Sequence, residues 1–163
     1  MRQRRTVKTE HHAVLGSYFL THPPICRIRA DVSDTGHPIT RGLGTSFDVE
    51  DEPYFVELQD PDSTRILLSA DYGPNAMSPS IRTLHASDTS LQPDGKTRVL
   101  GYTRKVGNGG VTYFALGHCH NPAIRAARAT DPADTTPPTF RGAWDSDAFI
   151  ALLRNAIAWG VSA

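Results

Sequence analysis

Arg98-Val99-Leu100-Gly101-Tyr102-Thr103-Arg104-Lys105-Val106 runs into Gly107-Asn108-Gly109-Gly110 and out again through Val111-Thr112-Tyr113-Phe114-Ala115-Leu116-Gly117. Two runs rich in β-branched and aromatic residues, joined by four residues that tolerate positive φ, predict a β-hairpin with strands near 98–106 and 111–117. Upstream, Ile66-Leu67-Leu68-Ser69-Ala70 is a continuous apolar run bounded by Arg65 and Asp71. That is the pattern of a strand covered on both faces, and it is the best candidate for a central strand.

Further out, residues 25–32 alternate. Ile25, Arg27, Arg29 and Asp31 face one way, and Cys26, Ile28, Ala30 and Val32 the other, as in a half-exposed strand. The segment 47–58 is mixed, with a short strand in its second half at 54–58. Residues 9–19 read as a short helix broken at Gly16 and stopped by Pro23-Pro24. At the other end Ser146 is placed as N-cap with Asp147 in the first turn. Phe149, Leu152, Leu153, Ala156, Ile157 and Gly160 follow at helical spacing, and Trp159 lies off the stripe, positioned to cover the sheet edge. Residues 72–96 and 120–143 are rich in Pro, Ser, Thr, Asp and small residues and read as long surface insertions. Strands followed by a helix make an α/β chain of one domain, 1–163, with no internal repeat.

Composition sets the outer bounds. The 163 residues are 39% hydrophobic and 21% charged, enough for one core. Lys plus Arg and Asp plus Glu are 17 each, so no bulk field attracts nucleic acid or an anionic membrane. No apolar run approaches the roughly 18–20 residues of a membrane span. Arg4-Arg5 invites comparison with a twin-arginine export signal, but Glu10, His11 and His12 stand where its apolar segment belongs. With two cysteines, Cys26 and Cys119, and no need of a disulfide, a cytoplasmic location is expected.

Three polar clusters sit at the ends of expected strands, where loops held by a sheet commonly carry function. In His37-Pro38-Ile39-Thr40 the proline restricts the backbone on both sides and so the direction of the imidazole. Asp51 and Glu52 are adjacent, so on an extended chain they point to opposite sides and at most one enters a pocket; Tyr54 beside them offers an aromatic face and a hydroxyl. His118 closes the Leu116-Gly117-His118 strand end and stands one residue from His120, a His-x-His pair that can aim both imidazoles one way. His11, His12, His22 and His85 fall in expected surface segments and receive no role.

Taken together, His37-Pro38-Ile39-Thr40-Arg41-Gly42-Leu43, Asp51-Glu52 with Tyr54, the Tyr102-Thr103-Arg104 strand with its glycine turn, Ala115-Leu116-Gly117-His118 and a last helix ending near Trp159 resemble the C-terminal part of the trehalose-utilisation (ThuA-like) family. The resemblance covers about 14–161. It implies a flavodoxin-like fold similar to the class I glutamine amidotransferases, and a role in carbohydrate metabolism. A full member of that family opens with a glycine-rich strand-to-helix turn, so this chain is expected to supply the later strands and last helix without the N-terminal half of the fold. His118 and His37 are then the expected catalytic residues, and Asp51, Glu52 and Tyr54 the expected contacts to a sugar or sugar derivative. No cofactor, metal, nucleic acid or membrane is called for. The amidotransferase cysteine chemistry is not carried over, because neither Cys26 nor Cys119 follows a strand-turn-helix elbow. Two alternatives stay open: a non-catalytic interaction module or truncated remnant that forms homo-oligomers through an open sheet edge, and a metal-dependent hydrolase using His118 and His120.

Overall fold

Leu67 and Leu68 are neighbours in one strand and both are fully buried, at a point where the register with the adjacent strand is irregular on either side of Leu68. In the computed structural model, which describes residues 9–73, 89–123 and 137–162, that strand is the middle of five. The elements are α1 (Thr9–Leu15), β1 (Ser17–Thr21), β2 (Cys26–Val32), β3 (Ser46–Asp51), β4 (Phe55–Leu58), β5 (Thr64–Asp71), β6 (Thr97–Val106), β7 (Gly109–Phe114) and α2 (Asp147–Gly160). The main sheet has the order β3-β2-β5-β6-β7, and β1 pairs with β4 in a second, two-stranded sheet. Every pairing between these strands is antiparallel. The chain is therefore α/β with a β-hairpin and a C-terminal helix, and its described strands form two antiparallel sheets, one of five strands and one of two. The bulk of the expected insertions, residues 74–88 and 124–136, lies outside the described residues.

The hairpin is tighter than expected. Val106 pairs with Gly109, so only Gly107 and Asn108 form the turn, with Gly107 at φ 58°; Gly109 and Gly110 belong to β7. Gly110 has to be small, because a Cβ there would come within 2.8 Å of the Trp159 ring, which lies over this edge strand. The N-terminal helix is shorter than 9–19: it ends at Leu15, Gly16 turns at φ 78°, and a guanidinium N–H of Arg104 donates to the Ala13 carbonyl (2.6 Å). Residues 17–19 go instead to β1, held by the Tyr102 hydroxyl donating to the Leu15 carbonyl at 2.7 Å. The first half of the mixed segment is β3, whose strand character comes from pairing with β2 more than from its own composition.

Ile28, Ala30 and Val32 of β2, Val49 of β3, Leu68 and Leu100 pack with Ile39 of the 3-10 turn Pro38–Thr40 and with Phe149 and Leu152 of α2. Ser146 accepts from the Phe149 N–H as the cap of α2. Ile157, expected on the buried stripe, is 69% exposed. The Asn155 side-chain amide donates to the carbonyls of Ile39 (3.0 Å) and Arg41 (2.9 Å), pinning the 3-10 turn to the C-terminal half of α2. At the far edge of the sheet, β3 exposes Asp48 and Glu50 along a groove of about 490 Å³, charges of the kind that discourage edge-to-edge pairing.

Candidate active site

β3 ends in Asp51, which is completely buried and turned inward. One carboxylate oxygen accepts the N–H groups of Glu52 (2.7 Å) and His118 (3.1 Å); the other accepts those of Gly117 (2.7 Å) and Ala143 (3.1 Å). Four backbone donors thus replace water around a buried charge, as an interior carboxylate requires. The result is a clamp joining the end of β3, the loop after β7 and the turn before α2. Gly142 fits beneath it at φ 55°, where a Cβ would come within 2.6 Å of the His118 carbonyl.

With Asp51 facing in, the neighbouring Glu52 faces the opposite way, into a cluster of imidazoles. Its two oxygens lie 3.1 Å from Nδ1 of His22 and 3.1 Å from Nδ1 of His118. The Glu52 and His118 side chains are each only 16% exposed. Both imidazoles thus flank the one carboxylate, and Nδ1 of His22 also lies 3.0 Å from the Pro23 carbonyl. Nε2 of His118 then lies 3.4 Å from Nδ1 of His120, whose Nε2 donates to the Pro137 carbonyl at 2.7 Å. Backbone hydrogen bonds between His120 and Phe140 hold this end, and the Phe140 ring lies against both imidazoles.

Beside His22 stand two exposed rings, Phe19 of β1 and Tyr54, with centroids 5.1 Å apart. His22 stacks on Phe19 and tilts toward Tyr54. The Tyr54 N–H donates to the Ala115 carbonyl, which ties this aromatic surface to the loop carrying His118. A carboxylate and imidazoles beside exposed aromatic rings set polar and stacking contacts side by side.

Among the expected site residues, the fold brings Glu52, Tyr54 and His118 together and places Asp51 directly behind them. His37 is elsewhere. It is buried, its Nδ1 accepts the Ile39 N–H at 3.2 Å, and its ring packs on Trp159 in the last turn of α2. Gly117, by contrast, packs on Phe149 and Trp144 at the first turn of α2. Phe149 and Trp159 are about ten residues apart, roughly 15 Å along a helix. The expectation of one crevice shared by His37 and His118 is corrected accordingly: His37 caps a turn. Burial, and secondarily the charge of Arg65, pushes its pKa below the ordinary histidine value.

His22, Phe19 and Phe140 were not expected. The one signal was that His22 precedes Pro23, the same restriction that drew attention to His37. Among the described residues, no three His, Cys, Asp or Glu side chains converge as a metal-binding group. No described helix is long and apolar enough to cross a membrane.

The family model described as ThuA, trehalose utilisation, matches residues 3–129. A crystal structure of a ThuA-like protein from Parabacteroides merdae superposes with a TM-score of 0.54 at 20% sequence identity, over 88% of this chain and 41% of that one. At such identity the likeness is one of fold, and the chain spans less than half the length of that solved relative. No curated protein matches the chain significantly.

Proposed function

Since the chain belongs to the ThuA family of trehalose-utilisation proteins, we propose that the Glu52–His118 pair binds or acts on a sugar or sugar-derived metabolite, with Phe19 and Tyr54 stacking on the ring. The observation that carries this reading is the Glu52 carboxylate bridging two imidazoles beside exposed aromatic rings. The Glu52 carboxylate, 3.1 Å from Nδ1 of His118, orients the ring. An imidazole oriented in this way is the ordinary equipment for moving a proton to or from a sugar hydroxyl or the carbon beside a ketone. Asp51 contributes by fixing the backbone N–H groups of Glu52 and His118, so that the pair is held in place before any ligand arrives.

The test is a thermal-shift panel of disaccharides and keto-sugars on the purified chain. At least one is expected to raise the melting temperature. His118→Ala and Tyr54→Ala are expected to abolish that shift, and Tyr54→Ala, at an exposed side chain, to leave the unliganded melting temperature within about 3 °C. A flat panel, or a shift that survives both substitutions, would remove the proposal.

A further inference from the structure

We infer that the outer edge of β7 pairs antiparallel with the same edge of a second copy of this chain, making a two-fold symmetric dimer. β7 is the last strand of the main sheet, and its ladder with β6 runs without a bulge. Hydrogen-bonded and non-hydrogen-bonded pairs alternate along an antiparallel ladder. The Ala115 N–H donates to the Leu100 carbonyl at 2.8 Å, so Tyr113, Val111 and Gly109 share its parity and turn their backbone groups toward β6. Gly110, Thr112 and Phe114 therefore point N–H and C=O away from the sheet, and no hydrogen bond among the described residues meets them. Such a row is a template for another strand.

Charge selects the occupant. Strand edges are commonly protected from self-pairing by charged side chains, proline or a bulge. β3, at the opposite edge, carries Asp48 and Glu50, which would meet like charges in a second copy. From Val106 to Gly117 there is no charged residue and no proline, so the β7 edge meets nothing repulsive in its own copy. The shapes fit as well. With the two-fold axis at Thr112, each Thr112 opposes its counterpart and Gly110 opposes Phe114 of the partner subunit, the register that pairs all three outward residues. Phe114 already lies over Gly101 of its own β6, where a Cβ would come within 2.9 Å of the ring, and in the dimer it has a second glycine on its other flank. An aromatic ring across from a glycine is a favourable cross-strand pair, because it covers backbone that the glycine leaves bare. Trp159, whose ring lies over Gly110, closes that side of the contact. The joined sheet ends on the charged β3 strand at both sides, so assembly stops at two chains.

The dimer does not depend on the sugar reading, and its test uses no sugar. Sedimentation velocity of the 163-residue chain across the micromolar range is expected to show a reversible dimer. Thr112→Pro removes an N–H that β6 does not use, at an edge position that tolerates proline, and takes away both central hydrogen bonds of the dimer. The dissociation constant should rise at least about tenfold, with circular dichroism showing the fold retained. A second reading needs no proline. In a Cys26→Ala, Cys119→Ser background, Thr112→Cys should form a disulfide-linked dimer on mild oxidation, since directly opposed residues of a hydrogen-bonded pair stand about 5.5 Å apart at Cα. Asn108→Cys, exposed in the hairpin turn and remote from the axis, should not. A dimer of unchanged affinity in Thr112→Pro, no cross-link in Thr112→Cys, or one equally strong in Asn108→Cys would overturn the inference. So would a monomer throughout the concentration range; slow hydrogen exchange at the Gly110, Thr112 and Phe114 amides of that monomer would give the edge to another segment of the same chain.

Discussion

Replacing Asp51 by asparagine changes one oxygen of a buried carboxylate into an N–H₂ group and alters almost nothing in shape. Each carboxylate oxygen accepts two backbone N–H groups: Glu52 and His118 on one, Gly117 and Ala143 on the other. Whichever oxygen is replaced, two donors lose their acceptor and meet another donor, at a site with no exposure to water. A buried polar group left unsatisfied costs about 1–3 kcal/mol, so two cost about 4 kcal/mol near the middle of that range. For a chain of this size, 1 kcal/mol corresponds to about 2–4 °C, so Asp51→Asn is expected to lower the melting temperature by about 8–16 °C. The assay is calorimetry or circular dichroism on the parent, Asp51→Asn and Glu52→Gln side by side. Glu52→Gln, which disturbs only a side-chain bridge between imidazoles, is expected to move the midpoint by less than about 3 °C. A melting temperature for Asp51→Asn within about 3 °C of the parent, or an equal loss in Glu52→Gln, would refute the assignment of Asp51 as the structural member of the pair and Glu52 as the functional one.

Other outcomes follow from the same geometry. His37 has a folded pKa below the ordinary 6.5 because it is buried and near Arg65, so the unfolded chain takes up the proton first. Its contribution to stability is complete above about pH 6.5 and is lost as the pH falls through the lower folded value. Urea midpoints measured from pH 7.5 to 5 should therefore fall less steeply in His37→Asn than in the parent, and identical slopes would count against this. Gly142→Ala forces a positive φ on alanine and sets its Cβ 2.6 Å from the His118 carbonyl, so a loss of about 3 kcal/mol in denaturant melts is expected, and a neutral result would contradict the packing described. The Cys26 thiol is pushed up to about 11, first by burial and then by the charges of Asp51 and Glu50. At pH 8 a maleimide should modify the exposed Cys119 and spare Cys26, with peptide mapping as the readout and equal labelling as the contrary result.

Much of the fold could be read locally. Alternation along residues 26–32 identified the buried face of β2, the apolar run of residues 66–70 identified the central strand, and Ser146 with Asp147 opened α2 as its cap chemistry requires. These are effects of period and φ, carried within a few residues. β1 and β3 were less legible, because their strand character depends on partners: β4 lies some 40 residues from β1, and β2 supplies the other half of β3's ladder.

By itself the sequence determined the alternation of strands, the hairpin and the last helix, and it limited the candidate chemistry to a few polar strand ends. It could say that Asp51 and Glu52 point opposite ways, since that is a property of any extended chain. Only the tertiary structure decided which of them turns inward, because the donors that capture Asp51 lie 66, 67 and 92 positions away in the chain. The same long-range closure brought His22 to Glu52 and carried His37 to the opposite end of α2. A residue's direction is set by its own backbone, but its partners are set by packing among segments whose separation in sequence carries no trace of their nearness in space.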